Sequence, residues 1–208
     1  MVKNYTSFQF KINMREKIEK KIENPEKERK LTPKQRYVLD FTIEGKVLKE
    51  IKNFKISSLK KLKGKQRETA VENLKSNNVL KIENDKIEKI NWENLERFFE
   101  KTRGGQILKF INEYEVLNVP LLEKLLDVSP TPIRKETFAL LSCGLVARVK
   151  VKEKYFFVPL KTAEELEKIR REKPFIRSRE KRWEEKIMKK FEENLEKISK
   201  NSSDKLSS

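Results

Sequence analysis

Two stretches of this chain superimpose when it is shifted by 66 residues. NNVLKI, at 77–82, lies over CGLVAR, at 143–148, and Leu74 lies over Leu140. The neighbouring segments fall into the same order. Ahead of each stretch the patterning is helical, and behind each come two strand-like runs joined at a turn. In the first copy the runs are 79–83 and 86–90, with the turn-forming pair Asn84-Asp85 between them. In the second they lie within LVARVKVKEKYFFVPL, at 145–160, with KEK at 152–154 as the tip. A repeat of this period means one supersecondary unit built twice. The chain is therefore expected to be mainly α with small β-hairpins, an α+β protein. Two units of three helices and a hairpin come first, and C-terminal helices follow.

Local signals divide the 208 residues. Residues 1–30 carry nine Lys/Arg against five acids and read as a basic arm, or as a short helix stopped near Pro25. The first unit occupies 31–91. Its opening helix has Thr32 as cap and Pro33 at the first helical position, and Gly45 is placed to end it in the left-handed conformation. The pattern of 46–54 does not decide between elements. A short strand at 54–56, a short helix, a turn at Gly64 and a longer helix to Ser76 follow. Residues 92–105 form a connecting helix and linker, with TRGG at 102–105 breaking the chain. The second unit occupies 106–160, with a strand in VLN at 116–118. Residues 161–208 turn helical again. TAEE at 162–165 spells a capping box with Thr162 as the cap. Pro174 interrupts, and the next helix carries Trp183, Ile187, Phe191, Leu195 and Ile198 on one face.

Fifty Lys and Arg stand against 33 Asp and Glu with no histidine, a net charge of +17. Such an excess repels itself in a compact chain and points to a polyanionic partner, nucleic acid before an anionic membrane. A surface of ion-pair networks would also be rich in Lys and Glu, but it would not leave seventeen charges over. The single Cys143 allows no internal disulfide, and without histidine there is no cysteine–histidine zinc site. No run has the length of a membrane span and the N-terminus lacks a secretory apolar region, so a soluble cytoplasmic protein is expected. Catalysis has little to work with. The lack of histidine removes a His relay, and the five glycines spell neither a P-loop nor a dinucleotide fingerprint. ENDK, at 83–86, gathers the residue types of a metal-dependent nuclease in Glu83, Asp85 and Lys86, but three charges at a hairpin tip read more simply as a solvated turn. No enzyme activity, metal or cofactor is expected.

The third helix of the second unit is the most informative segment. It opens with Ser129-Pro130-Thr131-Pro132 and sets Arg134 and Lys135 on its first turn. At about 100° per residue, Ile133, Thr137, Leu140 and Gly144 fall on one side. Thr131, Lys135, Phe138 and Ser142 fall opposite, with Arg134 at the edge. Ser129 is placed to cap the helix, and the amides behind it are placed to meet a phosphate. An open Phe138 is unusual here and suggests packing on another part of the chain.

The spelling VSPTPIRKETFALLSCGLV, at 128–146, resembles the recognition-helix segment of GntR-type bacterial regulators. Val128, Ser129, Thr131, Pro132, Ile133, Arg134, Leu140, Gly144, Leu145 and Val146 carry the resemblance. It implies a winged-helix DNA-binding fold, in two tandem copies given the repeat. Pro130 stands where that family often has arginine, Lys135 stands where it often has glutamate, and no ligand-sensing domain follows. The resemblance thus implies DNA binding without metabolite response. In that setting Arg134 would bond guanine and Thr131 would meet a thymine methyl.

Further cations extend the expected DNA surface. KVKEKY sets Lys150, Lys152 and Lys154 at alternate positions, hence on one hairpin face; alternating lysine also protects a strand edge from aggregation. In the first unit Lys60, Lys61, Lys63, Lys65 and Arg67 gather around Gly64. Gln66 and Thr69 are the base-edge candidates there, although Glu68 and Glu72 share their side. Arg103 lies in the linker. Arg177, Arg179 and Arg182 line the basic side of the last helix, together with Lys181 and Lys186. The apolar side of that helix, Trp183, Ile187, Phe191 and Leu195, needs cover. Folding back comes first, pairing with a second copy second, and a membrane surface last, because its acids dilute the charge. Three functions compete. One is a regulator of transcription acting on double-stranded DNA, and the next is a replication initiator of plasmid or viral type. The third is an RNA-binding protein stacking bases on Tyr155, Phe156 or Phe157.

Overall fold

Helices run up to a hairpin twice along the chain. The computed structural model describes residues 30–54, 64–83, 86–171 and 176–204. The basic arm, Lys60, Lys61, Lys63, Asp85 and Pro174 lie outside them. In the first part α1 (Pro33–Phe41), α2 (Ile43–Phe54) and α3 (Lys65–Ser76) precede a hairpin of β1 (Leu80–Glu83) and β2 (Lys86–Ile90). In the second, α4 (Trp92–Lys101), α5 (Arg103–Tyr114), α6 (Val119–Leu126) and α7 (Pro130–Ser142) precede β3 (Ala147–Val151) and β4 (Lys154–Val158). Helices α8 (Leu160–Arg171) and α9 (Ile176–Asp204) follow. The architecture is mainly helical, with two separate two-stranded antiparallel sheets.

The shift of 66 residues is visible in how α3 and α7 stop. Asn78, at φ 54, and Gly144, at φ 68, each take the left-handed position after the helix. The amide two residues past each cap then reaches back across the last turn: Val79 N–H to Leu74 O at 2.8 Å, and Leu145 N–H to Leu140 O at 3.0 Å. This is the same closing motif, and it feeds the first strand of each hairpin.

A second repeat, with a shift of 60, sets Thr42, Gly45, Leu48, Lys49 and Ile51 over Thr102, Gly105, Leu108, Lys109 and Ile111. Thr42 separates α1 from α2, and Thr102 separates α4 from α5. Each threonine holds extended backbone and accepts a hydrogen bond from a glycine amide three residues on, Gly45 at 2.9 Å and Gly105 at 3.1 Å. Each also donates its hydroxyl to the last turn behind it, Val38 O at 2.7 Å and Phe99 O at 2.6 Å. The glycines are required by the closeness of the two helices. A Cβ at Gly45 would stand 2.0 Å from Val38 O, and one at Gly105 would stand 2.2 Å from Phe99 O. Two expectations are thereby corrected. Gly45 does not end a helix in the left-handed conformation; it sits in the first turn of α2, and Thr42 makes the break. The break expected across TRGG is confined to Thr102, which separates α4 from α5 and caps α5, while Gly104 and Gly105 lie buried within that helix.

Helix α1 joins the two halves. Its cap is Thr32, in a reciprocal capping box with Gln35. Gln35 is buried and its side-chain amide donates to Trp92 O at 2.9 Å, at the start of α4. Tyr37 is 1% exposed and meets Phe99 edge-on, with ring centroids 5.0 Å apart. Its hydroxyl donates to the Glu136 carboxylate on α7. Gly104 makes room for this ring, since a Cβ there would lie 2.2 Å from the phenol carbon and oxygen.

In the second part Leu117 and Phe157 exchange backbone hydrogen bonds at 3.1 and 2.7 Å, so the VLN segment touches β4 as a single bridge. The β3–β4 hairpin turns through Lys152 and Glu153, both at positive φ. Helix α8 starts at Leu160, so Thr162 lies inside it and is not its cap. Helix α9 folds back on the second part. Trp183, Ile187, Phe191 and Ile198 are buried within the one chain. Asn194, also buried, donates its side-chain amide to Tyr114 O at 2.8 Å and Val116 O at 2.9 Å, where α5 ends. Leu195, expected on the apolar stripe, is 38% exposed; Asn194 occupies the buried row instead.

Candidate nucleic-acid interface

Helix α7 presents three distinct stripes. Ile133, Thr137 and Leu140 are buried in the core of the second part, and Thr137 returns its hydroxyl to Ile133 O at 2.9 Å. The next stripe, through Glu136, Ala139 and Cys143, faces α1. Ala139 is buried there, Glu136 takes the Tyr37 bond, and Arg36 and Asp40 set the field at Cys143. The remaining stripe is exposed and holds Thr131, Arg134, Lys135, Phe138 and Ser142. Glu136 is the only acid in α7, and it is turned away to Tyr37. The exposed stripe therefore carries two cations and no carboxylate. Phe138, expected to pack on another part of the chain, is left 60% exposed, because among the described residues α1 docks one stripe over.

The start of α7 differs from expectation in one respect. Ser129 holds the cap position, but its side chain makes no capping hydrogen bond. The physical reason is in the spelling. The usual acceptor contact would come from the amide three residues on, and that residue is Pro132, which has none. Pro130 removes a second amide. Of the first three helical residues only Thr131 keeps an N–H, so a phosphate here would meet the helix dipole more than a cradle of donors.

The hairpin also needs correction. Lys150, Lys152 and Lys154 do not share a face. The alternation ends at the two-residue turn, which pairs Val151 with Lys154 and Lys150 with Tyr155. Lys150 stays outside, where a 2.6 Å ion pair with Glu153 holds its ammonium above the usual lysine value. Lys152 is exposed in the turn itself. Lys154 lies on the side of Val151, with its ammonium 5.9 Å from the Phe191 ring centre. Two residues join Lys150 on the outer face: Arg148 and Tyr155, with the guanidinium 4.8 Å from the ring centre. Tyr155 is 52% exposed, whereas Phe156 and Phe157 are buried and cannot stack on a base. Arg148 was legible, since it alternates with Lys150; the Tyr155 contact required the turn position.

On α3 the exposed side holds Lys65, Gln66, Arg67, Glu68, Thr69 and Glu72, over a core row of Ala70, Val71 and Leu74. Arg67 is paired with Glu50 of α2 at 2.9 Å, and Thr69 donates to Lys65 O at 3.0 Å. This face is mixed in sign, and two of its polar groups are already engaged. Arg103 is exposed at the start of α5, next to the glycine that receives Tyr37. Arg177, Arg179 and Arg182 are exposed at the start of α9, and Arg182 also donates to Ser178 O at 3.4 Å. Among the described residues no group of three Cys, Asp or Glu is placed to hold a metal ion, and no helix is long and apolar enough to cross a membrane. No protein-family model, curated protein or solved structure matches the chain.

Proposed function

We propose that the chain is a non-enzymatic binder of duplex DNA built on two tandem winged-helix units, and that it acts as a sequence-specific regulator of transcription. In each unit the helix before the hairpin faces the DNA: α3 in the first and α7, the base-reading one, in the second. The observation that carries this is the acid-free exposed stripe of α7. A helix with Arg134, Lys135 and Thr131 outward at its front has the donors that a major groove accepts. Arg148 and Lys150 on the outer hairpin face, beside Tyr155, suit phosphate contacts. The mixed face of α3 suits a backbone contact more than a base-reading one. The excess of seventeen positive charges supplies the sequence-independent attraction.

The test is titration of labelled duplex at several salt concentrations. If about 6–10 phosphates are met, log affinity should fall against log salt with a slope of roughly −5 to −9. A flat slope refutes the reading. Selection of bound duplexes from a random pool then separates the class of function. A short two-fold site fits a regulator, a long asymmetric or repeated site fits a replication initiator, and no enrichment on duplex with binding to single-stranded RNA fits the third alternative.

A further inference from the structure

The centre of the open stripe on α7 is the Phe138 ring. It is the most exposed large apolar side chain among the described residues, at 60%. A single exposed apolar side chain is common on a protein surface and carries no meaning by itself; here the surroundings of the ring supply it. Its neighbours on the stripe narrow the partner. Arg134 lies one turn before it, Lys135 three residues before, Thr131 two turns before and Ser142 one turn after, all exposed. The only acid of α7 is held away by Tyr37. A second apolar protein surface would have to bury two cations beside the ring without carboxylates from α7 to meet them. A polyanion with one apolar group at the same depth fits without that penalty. The edges of the base pairs in the major groove carry one apolar group, the C5-methyl of thymine.

We propose that Phe138 contacts a thymine methyl in the major groove and that this contact, with Arg134 on guanine, sets the sequence preference of the second unit. This rests on the duplex-DNA reading above. Arg134 and Phe138 are four residues apart, a rise of about 6 Å along the helix. Successive bases rise about 3.4 Å along one strand. The guanine and the thymine should therefore stand about two base steps apart. Phe138 acts through one methyl group, so its contribution is separable from every phosphate contact.

The experiment uses the full chain and the best duplex from the random-pool selection. Thymines are replaced one at a time by deoxyuridine, which deletes the methyl and leaves base pairing and backbone charge intact. One position should lose about fourfold in affinity, the worth of one buried carbon. Phe138→Ala should bring the thymine-to-uracil ratio at that position close to one, without shifting the salt slope. As the ring is exposed, this variant should keep the melting temperature and circular dichroism of the parent. No uracil-sensitive position, or a ratio unchanged in Phe138→Ala, overturns this inference while leaving salt-dependent duplex binding in place. Salt-dependent binding without an enriched duplex also overturns it. A Phe138→Ala variant that alters sedimentation but not the ratio would assign the ring to a protein contact, against the proposal. Absence of duplex binding removes the underlying reading itself.

Discussion

Cys143 sits at the end of α7, on the stripe that faces α1, and its environment disfavours the thiolate. Burial is the main cause and the nearby Asp40 carboxylate adds to it, while Arg36 opposes; together they push the thiol up to about 12. Tyr37, on the same contact, is raised for the same kind of reason: burial first, then its bond to Glu136. The consequence for stability has a definite sign. Both groups are neutral when folded, and their folded values lie above the unfolded ones. Their stabilisation is full below the unfolded thiol value, near pH 8.5, and is lost as pH rises toward the folded values. The melting temperature should therefore fall from about pH 9 upward, and fall less steeply in Cys143→Ala than in the parent. Equal slopes would show that the thiol is not buried against α1. This contact was not legible from the sequence. Cys143 follows Glu136 by two turns, but nothing in the spelling of α1 names it as the helix that covers them.

At the scale of elements, α9 shows what local patterning can and cannot tell. Its apolar row was legible from the spacing of Trp183, Ile187 and Phe191, and a helix of 29 residues carries it. The choice of Leu195 for the next position was wrong by one residue, because the row drifts around the helix and reaches Asn194. A polar residue in an apolar row carries no signal until its partners are known. Those partners are the carbonyls of Tyr114 and Val116, at the end of α5. Asn194→Ala should leave two buried acceptors without a donor and lower stability by about 1–3 kcal/mol, read from urea unfolding. Asn194→Asp, which cannot donate, should be at least as damaging; a neutral outcome would mean that water replaces the amide. The hairpin error has a similar origin. Period-two alternation holds only within a strand, and it was carried across the turn from Lys150 to Lys154. The repeat of 66 was legible because it preserves side-chain types, Leu74 with Leu140. The repeat of 60 also preserves side-chain types, since Thr42, Gly45, Leu48, Lys49 and Ile51 recur as Thr102, Gly105, Leu108, Lys109 and Ile111, but it crosses 46–54, whose pattern alone does not decide between elements. Its meaning lies in backbone contact.

Residues from Thr32 onward form one compact unit, although the chain is written as two copies. The joint is small and specific. Tyr37 of the first copy passes over Gly104, packs against Phe99 and ends on Glu136 of α7. Gly104 leaves the space that the Tyr37 ring fills in this joint. Gly104→Ala would set a methyl against the Tyr37 ring at a distance no carbon tolerates, so the ring must leave its seat. Overpacking of this kind lowers stability by about 1–3 kcal/mol. Its larger effect should be on cooperativity. The parent should unfold in a single transition by calorimetry, with equal calorimetric and van't Hoff enthalpies. In Gly104→Ala the van't Hoff enthalpy should fall below the calorimetric one, as the first copy loosens before the second. Tyr37→Phe keeps the ring and removes the hydroxyl with its bond to Glu136, so it should lower stability while preserving a single transition. If both variants remain fully cooperative, the coupling runs through Gln35 and the α1–α4 contact, and the tyrosine is only a filler.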